Sequence, residues 1–317
     1  MNQVKIGTQG PAVSQIGLGT LTLSGLYGTT TEKDAIKIIH HAKELGINHL
    51  DTTDLMQGAN EKLLSKVIKS RRYDYVIGNK LGFIETESGM VTDGSPQYLR
   101  SAVENSLQRL GTDYIDLVYL VRVDPNIPLE ESIGALKQMV EEGKIGYLGL
   151  SEVGIQEIEK AQAIHPIVAI QNEYNMLHRD PEAELLDYLR LNNISLTAYG
   201  VFSHALLTGK VRAGQTFTFP DPRSYLPRFQ RNNFKHNLAI VNRLQEVAAS
   251  LSLTLPELAV AWLLHQGGEV LPLPGVSKVS QVESLIKASL ARLSPDTLQQ
   301  IEEISPAGAV AGAQYPF

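Results

Sequence analysis

Two charged side chains stand at the ends of two short apolar segments of strand length. Asp51 ends the segment 47–51, and Lys80 ends the segment 75–80. Enzymes built from alternating strands and helices carry their active sites where parallel strands end. A lone strand-end Asp is more often structural than catalytic, but a strand-end Lys on the next unit changes that balance. The pair predicts a partly buried ion pair that holds the ammonium in place.

The elements that must position these residues follow from the hydrophobic pattern, in which strand-length apolar runs alternate with segments of helical periodicity. Strands are predicted at 14–20, 47–51, 75–80, 115–121, 145–150, 167–171, 194–199 and 269–272. Helices are predicted at 32–45, 61–69 with Asn60 as the N-cap, 97–110, 129–142, 155–164, 181–191, 255–265 and 279–289. Two further helices, 237–250 and 295–304, exceed the repeat, and the irregular stretch 200–235 is predicted to cover a cofactor or substrate.

Strand–helix alternation with short loops implies parallel strands and right-handed crossovers, and about eight such units close a barrel. The alternative, an open doubly wound sheet, needs a Gly-x-Gly-x-x-Gly turn after its first strand. The stretch 17–22 reads Gly-Leu-Gly-Thr-Leu-Thr, so that fingerprint is absent. The prediction is therefore an α/β chain that forms a single (β/α)8 barrel domain over residues 1–317, with extra helices and one long loop.

Composition excludes several classes of function. The chain has 317 residues, 43% of them hydrophobic and 20% charged, which is ordinary for a globular protein. A net charge of −6 with no basic run argues against a nucleic-acid partner. Cysteine is absent and the eight histidines lack metal-ligand spacing, so no metal is expected. With no apolar run of membrane length, we expect a cytoplasmic protein without a membrane partner. The oligomeric state stays open.

The stretch 46–56, read with 78–80 and 117–121, resembles the aldo-keto reductases, and the resemblance covers nearly the whole chain. In that family a strand-end Asp, Tyr, Lys and His form one site beside a nicotinamide. The resemblance places Asp51 and Lys80 at the Asp and Lys positions. Met56 stands where the family has its Tyr, and Val121 where it has its His. The family's ammonium lowers the pKa of the Tyr hydroxyl, which then protonates the carbonyl oxygen as hydride arrives.

The two replacements bear directly on activity. Met56 has no transferable proton, and Val121, whose simplest role is to fill the barrel core, cannot orient a carbonyl oxygen. Because positioned acid catalysis is typically worth roughly 10²–10⁴ in rate, we expect reduction of ordinary aldehydes to be weak or absent. Tyr27, in the loop after the first strand, could reach the mouth and donate a proton, although packing on its neighbours is the simpler interpretation.

The resemblance also implies an NADP(H) site and names its residues. It places Gly19 and Thr20 under the nicotinamide, Ser151, Glu152 and Gln171 at the carboxamide, Tyr199 against the ring, Gly200, Ser203, Leu207, Gly209 and Lys210 in the pyrophosphate loop, and Gly275, Ser277, Lys278, Gln281 and Glu283 around the 2′-phosphate. At the position that the resemblance assigns to the 2′-phosphate, a hydroxyl, an ammonium and a helix N-terminus at 277–279 make a suitable anion site. This indicates NADP rather than NAD.

Three functions stay open from the sequence. The first is an NADP-dependent oxidoreductase with an atypical site that acts on a small carbonyl or alcohol compound. The second is a catalytically silent protein that binds NADP(H). The third is a non-redox lyase or isomerase that uses Lys80 on a carbonyl group. Imine formation needs a neutral amine, and pairing with Asp51 opposes that.

Overall fold

The computed structural model describes residues 1–24, 30–86, 89–219 and 221–315. The strands in these ranges are β1 (Gln3–Lys5), β2 (Ala12–Ser14), β3 (Leu18–Gly19), β4 (His49–Thr53), β5 (Val76–Leu81), β6 (Phe83–Thr86), β7 (Gly89–Thr92), β8 (Ile115–Leu120), β9 (Ile145–Ser151), β10 (Ile167–Gln171), β11 (Ser195–Ala198) and β12 (Val270–Pro272). Eight of them form one parallel sheet in the order β3-β4-β5-β8-β9-β10-β11-β12. The pairs β1–β2 and β6–β7 are antiparallel hairpins outside it.

The sheet closes on itself through backbone hydrogen bonds between its first and last strands. Gly17 N–H donates to the Pro272 carbonyl (2.9 Å), and Gly19 N–H donates to the Pro274 carbonyl (3.0 Å). Gly19 is a required glycine, because a Cβ there would lie 2.9 Å from the Leu273 carbonyl oxygen. The predicted (β/α)8 barrel is thereby confirmed.

Helices surround the barrel, and most of them pack against its strands. They are α1 (Glu32–Glu44), α2 (Leu55–Ile68), α3 (Pro96–Leu110), α4 (Leu129–Glu141), α5 (Ile155–Gln162), α6 (Leu185–Leu191), α7 (Arg231–Ser250), α8 (Leu255–Leu264), α9 (Val279–Leu290) and α10 (Pro295–Ile304). Side-chain oxygens of Thr31, Ser95, Thr254 and Ser294 accept N-cap hydrogen bonds and so fix where four helices begin.

The core has two parts. A large cluster lies between the helices and the outer face of the sheet. A smaller one, which includes Leu117, Tyr119 and Leu271, contains Ile6 and Val13 from the first residues of the chain. The hairpin β1–β2 therefore contributes to this second cluster. The sequence pattern did not predict this contribution.

Several predicted boundaries are wrong. The strand predicted at 14–20 is two pieces, since Ser14 belongs to β2 and only Leu18–Gly19 joins the barrel. The stretch 200–235 contains three short 3₁₀ turns, and α7 begins at Arg231 rather than at 237. The helix predicted from 181 begins at Leu185, after a 3₁₀ turn.

The prediction that Asn60 caps a helix from 61 to 69 is also wrong. Helix α2 starts at Leu55, is interrupted at 56–58 and then continues. Asn60 is fully buried, and its side chain bonds to Thr20 and Thr52 instead of capping. A propensity argument could not see this use of the side chain, because both partners come from other elements.

None of the helices in the described part of the chain is by itself long and apolar enough to cross a membrane. Helices α7 and α8 reach the length and apolar composition of a membrane span only when they are taken together, and the chain bends by 85° between them.

Two glycines give a matched test of barrel packing. A Cβ at Gly149 in β9 would lie 2.5 Å from the Tyr119 ring and 2.9 Å from the Ala169 carbonyl oxygen, whereas one at Gly134 in α4 meets nothing within 4 Å. Gly149→Ala should lower the free energy of unfolding by about 1–3 kcal/mol through overpacking. Gly134→Ala should raise it by about 0.5–1 kcal/mol. Denaturant unfolding measures both, and equal effects of the two substitutions would contradict the packing described.

Candidate active site

An ion pair lies where two neighbouring barrel strands end. Lys80 Nζ is 2.6 Å from Asp51 Oδ2 and also donates to the Thr52 carbonyl oxygen at 2.9 Å. The two side chains are 16% and 9% exposed, so the pair is mostly out of water. Parallel pairing of β4 with β5 sets Thr53 opposite Lys80 and Asp51 opposite Gly78. The predicted Asp51–Lys80 ion pair is confirmed.

Gln171, at the end of β10, completes the coordination of this carboxylate. Its Nε2 donates to Asp51 Oδ1 at 2.8 Å, across the mouth of the barrel. The residue is 1% exposed, and its Oε1 has no hydrogen-bond partner in the described part of the chain. The Gln171 side chain also interacts with the hydroxyl of the buried Tyr119.

The first barrel strand is joined to the same site. Thr20 Oγ1 lies 2.7 Å from the Asp51 carbonyl oxygen and 2.6 Å from Asn60 Oδ1. Asn60 Nδ2 donates to the Thr20 carbonyl at 2.9 Å, and Thr52 Oγ1 bonds to Asn60 Oδ1. Thr20 and Asn60 thus fix the backbone that carries Asp51, a contribution of Asn60 that the sequence analysis missed.

The segment at Met56 has an unusual backbone. Met56, Gln57 and Gly58 have φ of 56°, 55° and 69°, three consecutive left-handed residues of which two are not glycine. Each of the two non-glycine residues costs of order 1–3 kcal/mol in this conformation, which persists only where the surroundings hold it. Glu85 Oε1 accepts the Met56 N–H at 2.9 Å.

Behind this segment lies a buried acidic group that the sequence analysis also missed. Glu61 is fully buried, accepts from Asn79 Nδ2 at 2.8 Å and is ion-paired with Arg109. Burial, and secondarily the charge of Glu61, raises the pKa of Asp54 to about 7. The available signal was the presence of Glu61 and Arg109 at positions of α2 and α3 that face the barrel.

The two positions where the family residues are replaced differ in their exposure to solvent. Val121 is 6% exposed, and its N–H donates to the Leu81 carbonyl at 2.8 Å. Met56 is 38% exposed. Tyr27, the other proton donor considered from the sequence, lies outside the described residues.

Tyr199 follows β11 and faces the C-terminal segment. Its hydroxyl lies 3.2 Å from the Tyr315 hydroxyl, and burial raises the pKa of Tyr199 well above its ordinary value. Gln314 Nε2 donates to Glu173 Oε2 at 2.7 Å, and Asn237 exchanges two hydrogen bonds with Ala311. These contacts hold the C-terminal segment against residues that follow β10 and β11 and against α7.

The other residues that the family pattern singled out follow the same strand ends. Ser151 is buried, and Glu152 has φ 54° with its Oε1 accepting the Glu173 N–H at 2.7 Å. In the loop after Gly200, Ser203 is 1% exposed, and its Oγ has no partner among the described residues. Leu207 is buried, Gly209 has φ 67° and Lys210 is exposed.

The predicted anion site lies where α9 begins. Gln281 Oε1 accepts from both the Ser277 N–H (2.8 Å) and Ser277 Oγ (3.3 Å). Lys278 is the exposed N-cap residue of α9, and Gly275 forms an isolated parallel β-bridge with Gly19. Glu283 lies one turn further on, with its carboxylate 3.4 Å from His41 Nε2.

His49 lies beneath the ion pair. It is fully buried, and neither ring nitrogen has a partner in the described residues. A Cβ at Gly17 would lie 2.9 Å from its Nδ1, and one at Gly78 3.5 Å from its Nε2. Burial lowers the pKa of His49 to about 4, against the opposing effect of Asp51. No group of three or more His, Cys, Asp or Glu in the ranges described above could hold a metal ion.

Comparison with known proteins defines the class of this barrel. The profile of the Aldo/keto reductase family matches residues 15–306, and the chain belongs to that family. A probable aldo-keto reductase 1 from Glycine max is 39% identical over 316 residues, which is 98% of this chain and 91% of that protein. The aldo-keto reductase yakc [NADP(+)] of Schizosaccharomyces pombe is 35% identical over 320 residues, 98% of this chain and 94% of that one.

Among solved structures, the glycerol dehydrogenase AKR11B4 from Gluconobacter oxydans superposes with a TM-score of 0.86 at 29% identity. The match covers 95% of this chain and 94% of that chain. The resemblance inferred from the motifs is therefore confirmed.

Removal of Lys80 tests the burial of the ion pair. Lys80→Met leaves the Asp51 carboxylate without its counter-charge and should lower the free energy of unfolding by roughly 3–5 kcal/mol. The control is Lys66→Met, which removes an ion pair with Glu32 whose side chains are 52% and 57% exposed. That change should cost about 0–1 kcal/mol. Thermal or denaturant unfolding compares them, and a Lys80→Met protein as stable as the control would contradict a buried pair.

His49 predicts a specific pH dependence of stability. Its pKa is about 4 in the folded chain against an ordinary 6.5, so between these values the unfolded chain binds a proton that the folded chain does not. The contribution of His49 to the free energy of unfolding is complete above pH 6.5 and falls as the pH drops toward 4, by up to about 3 kcal/mol. His49→Phe should remove this part of the slope. Unfolding free energies between pH 7 and 4.5 measure it, and identical slopes would exclude a buried neutral imidazole.

Proposed function

We propose that this chain is an NADP(H)-dependent oxidoreductase that transfers hydride between the nicotinamide and a small carbonyl or alcohol compound. The observation that carries the proposal is the network Lys80–Asp51–Gln171, which joins the carboxyl ends of three barrel strands. Membership of the family and the NADP(+) in the name of the S. pombe relative support the choice of reaction and cofactor.

Atoms without partners indicate how the cofactor would be held. The Gln171 Oε1 acceptor fits the carboxamide, and the buried Ser203 hydroxyl, unpartnered in the described chain, fits the pyrophosphate. Tyr199 would stack on the ring, with Gly19, Thr20, Ser151 and Glu152 around it. Gly200, Leu207, Gly209 and Lys210 would line the pyrophosphate loop. Ser277, Lys278 and Gln281, with Gly275 and Glu283 beside them, would meet the 2′-phosphate. When bound, the reduced nicotinamide supplies the hydride.

A second candidate is a catalytically silent NADP(H)-binding protein. The observation that favours it is the replacement of both proton-handling groups of the family, at Met56 and Val121. A lyase or isomerase that forms an imine on Lys80 has less support, because the ammonium already donates to Asp51 and to the Thr52 carbonyl. An ammonium that donates to these two acceptors has no free electron pair and is not nucleophilic.

The remaining expectations rest on sequence and composition. A single domain, a cytoplasmic location and the lack of nucleic-acid, membrane and metal partners are predictions, and oligomeric state is open. Reduction of ordinary aldehydes should be slow compared with an enzyme that retains the family's phenol and imidazole, because acid catalysis is typically worth roughly 10²–10⁴ in rate.

Cofactor binding and turnover test the proposal separately. NADPH should bind, and Lys278→Met should weaken NADPH but not NADH, since hydrogen bonds to charged groups are worth about 1.5–3 kcal/mol. Lys287→Met, on the same helix and away from its N-terminus, is the control. Calorimetry measures binding, and NADPH absorbance with 4-nitrobenzaldehyde measures turnover.

Failure to bind either cofactor at millimolar concentration would reject the proposal as a whole. NADPH binding without consumption of any carbonyl compound would favour the silent protein. Equal loss of NADPH and NADH affinity in Lys278→Met would reject the phosphate assignment alone.

A further inference from the structure

We infer that Lys80 itself donates the proton to the carbonyl oxygen in this chain, a role that rests on the proposed oxidoreductase function. In the family pattern the ammonium acts on a neighbouring phenol. Here Met56 occupies the phenol position. That residue therefore places no phenolic hydroxyl between the ammonium and the substrate oxygen.

The hydrogen-bond inventory of Lys80 leaves a donor for this purpose. An ammonium has three N–H groups and no acceptor. One donates to Asp51 Oδ2 and one to the Thr52 carbonyl oxygen, and no bond within the described residues uses the third. The side chain is 16% exposed, so it reaches the open end of the barrel rather than being sealed in the core.

Two tyrosines and a histidine in the described part of the chain are poorer acids, whereas Asp54, whose pKa burial raises to about 7, interacts with Glu61 and Arg109 behind the site. Burial raises the pKa of Tyr119, which is fully buried and hydrogen-bonded to Thr197 Oγ1 at 3.0 Å. Burial also raises the pKa of Tyr199. His49 is neutral at physiological pH and fully buried. Val121 offers no donor from its side chain.

The step balances with the proposed reaction. Hydride from the reduced nicotinamide forms a C–H bond at the carbonyl carbon, and the π electron pair of the C=O bond moves onto oxygen. That oxygen takes a proton from Lys80 as one N–H bond breaks, which gives the alcohol and a neutral amine. The amine then recovers a proton from water. An alkoxide is a far stronger base than an amine, so the transfer runs downhill.

Asp51 positions the donor. Its Oδ2 accepts one N–H of the Lys80 ammonium, and its Oδ1 is held by the Gln171 amide, so the carboxylate fixes where the remaining N–H of Lys80 lies.

The absence of cysteine from the chain allows a direct test. In Lys80→Cys the only thiol is at position 80. Alkylation with 2-bromoethylamine rebuilds a primary ammonium of lysine length, whereas (2-bromoethyl)trimethylammonium installs a positive charge without a transferable proton. Wild-type protein treated with both reagents controls for reaction elsewhere.

The readouts are kcat for NADPH oxidation with 4-nitrobenzaldehyde, NADPH affinity, and calorimetric binding of 4-nitrobenzoate, whose carboxylate stands in for the oxyanion. Lys80→Cys should lose roughly 10²–10⁴ in kcat with NADPH affinity retained. The primary ammonium should restore most of kcat and of 4-nitrobenzoate binding. The quaternary ammonium should restore neither, although it binds NADPH.

Equal rescue by the two cations would overturn the inference, since charge alone would then suffice. So would a Lys80→Met protein with wild-type kcat. Turnover lost in Tyr27→Phe and kept in Lys80→Met would assign the proton to Tyr27. Wild-type protein that consumes no NADPH would remove the proposed function and this inference together, whereas consumption that survives Lys80→Met removes only the role of Lys80.

Discussion

A lysine ammonium that lies mostly out of water needs a carboxylate beside it, and this requirement organises the mouth of the barrel. Asp51 supplies the charge, but its two oxygens must also be satisfied, one by Lys80 and the other by Gln171. The three residues lie in the C-terminal halves of β4, β5 and β10, so their meeting depends on curvature of the sheet. Gly78, which faces Asp51 across the ladder, leaves space beside the carboxylate that a side chain would fill.

A second constraint acts from outside the barrel. The buried carboxylate of Glu61 is paired with Arg109, and a Cβ at Gly58 would collide with that guanidinium. The left-handed turn at 56–58 is therefore held from behind by an ion pair between two helices. The replacement at Met56 belongs to this held turn.

The sequence predicted what depends on regular repetition and on strand ends. The alternation of apolar runs predicted the barrel, and the positions of Asp51 and Lys80 predicted their ion pair, because parallel strands bring such residues to one edge. It did not predict the start of α2 or the role of Asn60, because the residues that contact this segment, Arg109 and Thr20, come from distant parts of the sequence. It also placed Ser14 in the barrel, because a strand that leaves one sheet for another keeps the same residue preferences. The buried state of His49 was equally invisible, as it results from neighbours on other strands.

Closure of the barrel joins parts of the chain that are far apart in sequence. Gly19 bonds to Pro274, so the first strand keeps an unpaired edge until nearly the whole chain has left the ribosome. Contacts of such long sequence separation slow folding, and exposed strand edges in the meantime invite association between chains. A truncation before Val270 therefore removes more than the last helices. It leaves a seven-unit sheet with two open edges, a form that chaperones would have to shield.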